Sequence, residues 1–363
     1  MNESLIENRI NKLKSVIVNS DEAILLTNEV NIGYFCGFFN SEGYLLITVN
    51  RTILFVDFRY FEAAQKFSKC CEVICFNRLT DDLIAVLKTE DIKNIYFEIS
   101  NISLARYSFF KTNLEKHSIN CINSDLVDKK ISEIRIIKDK TELEKIAQAQ
   151  QITEKSYIEV LNFLKPGVTE RQISVELEHQ IKLNGGFDIS FELITITGKK
   201  TSLPHGIPSD DVVREGDFFT FDIGSIYEGY HSDTTRTIAV KSASEEMQRV
   251  YNIVLRGQIA ALKVIKAGAK CSDVDKAARD IINNEGFGDY FGHATGHGVG
   301  LEIHEAPTVS MRSDTVLQEG MVITDEPGIY LPNKFGVRIE DMVCVTKQGC
   351  ENFVSLPKEL IIV

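Results

Sequence analysis

Over roughly the first third of the chain, short apolar runs alternate with segments in which apolar residues recur every three or four positions. The short runs are typical of buried strands, and the longer spacing is typical of helices that bury one face. The alternation predicts an α/β domain over residues 1–130. The predicted strands are 23–26, 44–48, 52–56, 73–76 and 94–97, and the predicted helices are 58–67, 80–87 and 103–116.

Residues 131–363 have longer helical periods, and their strands are clustered rather than interleaved with helices. Residues 127–141 are charged and weakly periodic, which favours a linker that runs into a helix. We therefore predict a second domain of the α+β class. Its predicted helices are 141–164, 169–183, 244–267 and 272–285, and its predicted strands are 190–197, 217–225 and 229–240, followed by a strand-rich region after about residue 291.

One predicted strand pair contains two closely spaced carboxylates. The sequence FDIGSIYEGYHSDTTRT, residues 221–237, is typical of two strands joined at a glycine-containing turn. A turn centred near Tyr227 and Glu228 sets Asp222 directly opposite Asp233 on one face of the pair. Two carboxylates in one small space raise each other's pKa unless a cation lies between them. A divalent metal ion is the simplest solution.

A glycine-rich segment, GHATGHGVG at residues 292–300, contributes His293 and His297, and His304 follows seven residues later. A His-x-x-x-His helix would suit zinc, but four glycines in this segment disfavour a helix. The glycines instead predict a close approach of the backbone to a crowded site. Three histidines in this setting indicate a functional cluster.

Two further carboxylates lie in the last part of the chain. Residues 321–326 and 337–345 are strand-like and predict an antiparallel pair joined by a loop rich in proline and glycine. Glu326 ends the first of these segments. Glu340 lies inside the otherwise apolar VRIEDMVCV, where an unpaired carboxylate would be costly, and Arg338 shares its face.

The composition indicates an ordinary globular protein, with 44% hydrophobic and 25% charged residues among 363. A net charge of -12 argues against a nucleic-acid or anionic-membrane partner. The eight cysteines include no CxxC pair, and MNESLIENRINKLKSVIV at the amino terminus has an amphipathic helical pattern unlike that of a signal peptide. We therefore expect a cytoplasmic protein.

The residues predicted to point into the site are four carboxylates and one imidazole. The four negative charges would balance the charge of two divalent cations. Mixed oxygen and nitrogen ligands suit manganese, cobalt or zinc. Two such ions, about 3.5 Å apart, would hold a bridging hydroxide and aim it at a carbonyl carbon, which is the chemistry of amide hydrolysis. The candidates are Asp222, Asp233, His297, Glu326 and Glu340.

With these residues assembled, the sequence resembles the pita-bread metallopeptidases, in the branch of Xaa-Pro aminopeptidase (aminopeptidase P) and prolidase. Five motifs occur in the order that the family has, and two more resemble its creatinase-type amino-terminal α/β domain. The motifs are SLPHG (202–206), DIGSIYEGYHSDTTRT (222–237), GHATGHGVGLEIHE (292–305), EPGIY (326–330), VRIED (337–341), NIGYFCGF (31–38) and FVDFRY (55–60).

The resemblance implies a role for each candidate metal ligand. Asp222 would bind the first ion as a bidentate ligand, and Asp233 and Glu340 would bridge both ions. His297 and Glu326 would complete the coordination of the second ion, and Glu326 would accept the proton of the attacking water.

The resemblance also implies substrate contacts, a metal and an assembly. His205, His293 and His304 would contact the substrate and stabilise the developing oxyanion, and Tyr330 and Arg338 would line the proline side of the pocket. Proline-containing peptides would be the substrates, manganese the first choice of metal with cobalt or zinc as alternatives, and a homodimer the assembly.

Three functions stay open on the sequence. We favour an aminopeptidase that removes a residue preceding proline, because residues 292–305 resemble that branch; the second is a prolidase limited to Xaa-Pro dipeptides. The third is a pita-bread protein without peptidase activity, either a creatinase-like enzyme or a binding module. Such proteins lose several ligands, whereas this chain retains five, which argues against the third reading.

Overall fold

A computed structural model describes residues 3–39 and 42–363, and the chain divides into two compact units between Arg135 and Ile136. The predicted linker is wrong over its first half, because residues Leu126–Arg135 form a helix. Val127, Ile131 and Ile134 are buried at helical spacing, and that apolar stripe stabilises the helix despite its charged residues. The boundary predicted after residue 130 falls inside this helix.

The first unit is built on a six-stranded mixed sheet with helices in the connections. Its elements are α1 (Glu3–Lys14), β1 (Glu22–Leu26), α2 (Glu29–Cys36), β2 (Gly43–Ile47), β3 (Thr52–Val56), α3 (Phe58–Phe67), β4 (Glu72–Cys75), α4 (Leu79–Thr89), β5 (Asn94–Phe97), α5 (Leu104–Leu114), β6 (Asn120–Ile122) and α6 (Leu126–Arg135). The strand order is β4-β3-β2-β1-β5-β6. The predicted α/β class is confirmed, while Met1 and Asn2 of the predicted amino-terminal helix lie outside the described residues.

The second unit combines four helices with four small sheets, in agreement with the predicted α+β class. Its helices are α7 (Lys140–Leu161), α8 (Glu170–Leu183), α9 (Glu245–Val264) and α10 (Cys271–Asn284). Its strands are β7 (Asp188–Ile189), β8 (Ile194–Thr197), β9 (Phe218–Ile223), β10 (Ser225–Tyr227), β11 (Tyr230–His231), β12 (Thr234–Ala239), β13 (Gly296–Gly298), β14 (Glu305–Val309), β15 (Val322–Asp325), β16 (Gly328–Leu331), β17 (Phe335–Arg338), β18 (Asp341–Val345) and β19 (Cys350–Asn352). Among the described residues, no helix has the length and apolar character needed to cross a membrane.

The central hairpin folds two positions away from the predicted register. Glu228 and Gly229 form the turn, both with positive φ (46° and 84°), which is the backbone of a tight two-residue hairpin. As a result β9 and β12 pair with Asp222 opposite Thr235, and the predicted pairing of Asp222 with Asp233 is wrong. Asp233 precedes Thr235 by two residues and is therefore a diagonal neighbour of Asp222 on the same face.

The predicted strand at residues 337–345 is broken into two. The pairing of 321–326 with this segment is confirmed for β15 with β18, where Asp325 lies opposite Asp341. It is wrong for Arg338, which belongs to the separate hairpin of β16 and β17. Because the chain changes sheet at both breaks, Glu326 and Glu340 lie just outside strand ends, where their backbone N–H groups donate to the carbonyls of Thr295 and Thr235.

Candidate metal centre and active site

A compact group of potential metal ligands forms where these sheets meet. One donor atom from each of Asp233, His297 and Glu340 lies within 4.8 Å of the other two. Nε2 of His297 is 3.5 Å from Oδ2 of Asp233 and 3.4 Å from Oε1 of Glu326. The structure thus brings four of the five predicted ligands together from four separate segments.

Asp222, the fifth predicted ligand, has a different partner. Its Oδ2 forms an ion pair with Nη2 of Arg338, which is almost completely buried. Asp222 nevertheless acts on the group electrostatically, because its charge helps to raise the pKa of Asp233 and of Glu340. In this structure it lies beside the group, with its carboxylate bound to the guanidinium.

The protonation of His297 is fixed by its neighbours. Nδ1 lies 3.1 Å from the carbonyl oxygen of Gly298, and because a carbonyl only accepts, Nδ1 must carry the ring proton. Burial lowers the pKa of this histidine to about 4, so the ring is neutral near pH 7. The Nε2 lone pair therefore points at the oxygens of Asp233 and Glu326. In the metal-free protein a carboxyl proton can lie between these lone pairs, and a metal ion would take the place of that proton, which is how a metal-binding imidazole is presented.

The pKa values of the acidic side chains also indicate a site for a cation. Burial raises the pKa of Asp233 and of Glu340 well above the ordinary value, and repulsion from neighbouring carboxylates raises both further. Burial also raises the pKa of Glu326, to about 8, although Arg338 opposes the shift. Four carboxylates and one neutral imidazole fit manganese, cobalt or zinc in donor type and in charge. The residues present therefore fit the predicted metal centre.

These shifts predict how the metal-free protein responds to pH. A carboxyl whose folded pKa exceeds its unfolded value of 4.5 keeps a proton that the unfolded chain releases, so its contribution to stability is lost as pH rises towards about 8. We expect the Tm gained on adding manganese to chelator-treated protein to be larger near pH 8 than near about pH 5, because metal ions replace those protons. Asp233→Asn should reduce this difference, and a manganese-induced gain that is equal at both pH values would contradict the prediction.

Two threonine hydroxyls hold the carboxylates in place. Oγ1 of Thr235 donates to Oε2 of Glu340 at 2.7 Å. Oγ1 of Thr324 donates to Oε1 of Glu326 at 3.2 Å and accepts from the backbone N–H of His297 at 3.1 Å. The sequence pattern does not single out either threonine, although each stands two residues from a candidate ligand and so shares its strand face.

Three predicted substrate-binding residues form one network beside the ligands. Nδ1 of His293 lies 2.7 Å from the carbonyl of Ala294 and therefore carries the proton, while Nε2 lies 2.9 Å from the hydroxyl of Tyr330. That hydroxyl accepts from Nη1 of Arg338 at 2.8 Å, so its own proton goes to His293. Burial lowers the pKa of His293 to about 4, which keeps the ring neutral.

The two remaining histidines are exposed at the edge of this region. The ring of His304 meets that of His297 edge-on, with centroids 4.3 Å apart. His205 follows Pro204, whose carbonyl accepts from Nη1 of Arg338 at 3.3 Å. His205 is close enough to His293 to contribute to the lowering of its pKa. Both exposed rings are open to a ligand that enters from solvent.

Helix α10 supports the site through residues that the sequence pattern does not reveal. Arg279 donates from Nη2 to the carbonyl of His293 at 2.8 Å and pairs with buried Asp275 one turn earlier. Asp275 also accepts from the Thr295 hydroxyl at 2.9 Å, and the carbonyl of Thr295 accepts from Glu326 N at 2.8 Å. A carboxylate on the buried face of an amphipathic helix is the one available signal.

Comparison with known families separates the chain into the same two parts. Residues 144–347 match the family model described as metallopeptidase family M24. Residues 9–137 match the creatinase/prolidase N-terminal domain. The predicted architecture, a creatinase-type α/β domain followed by a pita-bread catalytic domain, is confirmed.

Solved structures and sequence relatives extend this likeness over nearly the whole length. An Xaa-Pro dipeptidase from Bacillus anthracis is 39% identical with a TM-score of 0.94, covering 99% of this chain and 100% of its own. An X-Pro aminopeptidase from Thermotoga maritima is 36% identical with a TM-score of 0.90, covering 96% and 100%. An Xaa-Pro dipeptidase from Pyrococcus furiosus is 37% identical over 358 residues, which is 98% of this chain and 100% of that protein. The chain therefore belongs to metallopeptidase family M24.

Proposed function

We propose that this protein is a two-metal Xaa-Pro aminopeptidase, which hydrolyses the bond between an amino-terminal residue and a following proline. The observation that carries the metal centre is the neutral imidazole of His297, whose Nε2 lone pair faces Asp233 and Glu326 at 3.5 and 3.4 Å. Manganese is the first choice of metal, with cobalt and zinc as alternatives that accept the same ligands. The relatives named for action on Xaa-Pro peptides support the substrate class.

The proposed metal ligands would activate the attacking water. Asp222, Asp233, His297, Glu326 and Glu340 would hold two divalent ions, which, when bound, polarise a carbonyl and lower the pKa of an attacking water. Glu326, whose pKa is about 8 before any ion is bound, accepts a hydrogen bond from Thr324 through Oε1. This carboxylate is the candidate to take the proton from the water and to pass it to the leaving imino nitrogen.

The substrate side would be provided by the histidines and the Tyr330 network. Neutral His293, with His304 and His205 at the exposed edge, would contact the scissile carbonyl and the oxyanion that develops on it. Tyr330 and Arg338 would line the proline slot. Proline offers an apolar ring and no amide hydrogen, so selection there depends on shape more than on hydrogen bonding.

Replacement of His293 by alanine is expected to lower kcat about a hundredfold without emptying the metal site. His293 contacts Tyr330 and Ala294 and lies outside the close group of Asp233, His297 and Glu340. Bound metal measured by elemental analysis should match wild type, and His117→Ala, an exposed histidine of the first unit, is the control. A loss of metal together with activity would mean that the roles of His293 and His297 are reversed.

The alternative function is that of a prolidase, which cleaves only Xaa-Pro dipeptides. The two functions differ in whether the active site admits a peptide chain that continues beyond proline. The relatives carry both names. The test is digestion of Ala-Pro and of Ala-Pro-Ala in parallel with added manganese. Cleavage of both peptides supports the aminopeptidase, cleavage of Ala-Pro alone makes the protein a prolidase, and cleavage of neither refutes peptidase action on proline substrates.

We also propose a cytoplasmic homodimer. The dimer is carried over from the family resemblance. The location is supported by the eight cysteines, all of which are free thiols in the structure.

A further inference from the structure

Arg236, in the middle of β12, is a buried cation with an unusual set of partners. Its side chain is 2% exposed, and it makes five hydrogen bonds, four of them to backbone carbonyls. A guanidinium has five N–H groups, so its donor capacity is matched by these bonds. The acceptors are Thr235 O at 2.9 Å, Glu340 O at 2.6 Å, Leu356 O at 2.9 Å, Pro357 O at 2.9 Å and Asp341 Oδ1 at 2.9 Å.

Two of those carbonyls belong to the segments that carry proposed metal ligands. Nη1 of Arg236 bonds to the carbonyls of both Thr235 and Glu340. The same two residues meet again on the ligand side, where the Thr235 hydroxyl donates to Glu340 Oε2 and Glu340 N donates to Thr235 O at 3.1 Å. Arg236 therefore ties the Glu340 segment to the strand that begins directly after Asp233, from the side facing away from the ligands.

Asp341 holds the guanidinium in place. It is completely buried and accepts from Gln258 Nε2 at 2.9 Å and from Asn352 Nδ2 at 2.8 Å, besides Arg236. Lys358 forms an ion pair with Oδ2, the oxygen that also accepts from Gln258 and Asn352, while Arg236 donates to Oδ1. The charges of Arg236 and Lys358 offset the buried carboxylate, and the bonds leave the guanidinium little freedom to turn.

We infer that Arg236 is a positioning residue of the metal centre, which sets the separation between Asp233 and Glu340 through the carbonyls of Thr235 and Glu340. The inference rests on the proposed two-metal site. Metal affinity depends on groups that orient the ligands, and their loss typically costs about tenfold to a hundredfold in binding. A residue that only stabilised the fold would change melting without changing metal affinity.

The matched control is another buried ion pair in the same unit. Glu170 is completely buried and accepts from Lys200 Nζ at 2.6 Å and from the backbone N–H groups of Thr197 and Ser209, each at 2.8 Å. None of these partners is a proposed ligand or adjoins one. Glu170→Gln should therefore lower Tm while leaving manganese affinity unchanged.

The experiment is calorimetric titration of manganese into full-length, chelator-treated wild type, Arg236→Lys, Arg236→Met and Glu170→Gln, with melting curves for each. We expect manganese affinity to fall about tenfold in Arg236→Lys and about a hundredfold in Arg236→Met. The kcat of Arg236→Lys should approach that of wild type once manganese saturates the site.

A folded Arg236→Lys with wild-type manganese affinity would overturn the inference, as would an equal loss in Glu170→Gln. If neither Arg236 variant folds, Lys358→Met decides, because Lys358 forms an ion pair with Asp341 and its loss must weaken manganese binding. Wild type that binds no manganese would refute the proposed function itself, which separates that failure from failure of the present inference.

Discussion

Asp233→Ala is expected to abolish turnover of proline peptides while leaving the protein folded. Asp233 lies in the middle of the ligand group, 3.5 Å from His297 Nε2, and its loss unbalances the charge around both proposed ions at once. Its removal also relieves repulsion from Glu340, Asp222 and Glu326, so the metal-free fold should not suffer. We expect kcat to fall about a thousandfold or more, which corresponds to about 4 kcal/mol of lost transition-state stabilisation.

The control is Glu228→Gln, on the tip of the same hairpin, where the carboxylate is exposed and pairs with Lys145. This variant should keep wild-type activity, because exposed ion pairs contribute little. Glu340→Ala should behave like Asp233→Ala. Activity that survives in chelator-treated, repurified Asp233→Ala would refute the assignment of these residues.

Glu326→Gln should have the second-largest effect, because it removes a ligand charge and the candidate proton acceptor together. The glutamine oxygen can still accept from the Thr324 hydroxyl, so the local structure should persist. We expect kcat to fall about a hundredfold to ten-thousandfold, with loss of the acid limb of the pH–rate profile.

Thr324→Val is the comparison that separates the carboxylate from its hydrogen-bond support. It keeps the carboxylate of Glu326 and removes the hydroxyl that donates to it at 3.2 Å and accepts from the backbone N–H of His297 at 3.1 Å. The fall in kcat should be about tenfold or less. A Glu326→Gln protein that retains metal, kcat and pH profile would show that another group moves the proton.

Most of the ligand group can be predicted from sequence because each ligand departs from its local pattern. Glu340 interrupts an apolar run, and His297 stands among glycines that exclude a helix. The crowding predicted from those glycines is confirmed: a Cβ on Gly296 would lie 2.0 Å from the carbonyl of Thr324, and one on Gly298 would lie 2.2 Å from that of Ala306. In such places the local sequence pattern marks a candidate ligand.

The register of the hairpin is not predictable in the same way. The turn places Glu228 at φ 46°, a conformation for which asparagine, aspartate or glycine would be the usual signal. Glutamate gives no such signal, so a turn one residue earlier fits the pattern equally well. As a result, the residue opposite Asp222 in the strand pair is Thr235 and not Asp233.

Residues that support the ligands are also hidden from sequence. Arg236 lies in TTRTIA, where a lone charge could point to solvent, and only the fold shows that β12 is buried on both faces. Likewise the break between Arg338 and Asp341 has no glycine or proline to signal it, and only the fold shows that Arg338 pairs in one sheet and Asp341 in another. Tertiary packing decides both cases.

The most direct test is to measure hydrolysis of Ala-Pro while manganese is added stepwise to chelator-treated protein and bound ions per chain are counted. Activity should be absent at the start, rise with occupancy and level off at two ions per chain. Full activity without bound metal, or a fully loaded protein that leaves Ala-Pro and longer Xaa-Pro peptides intact, would contradict the account.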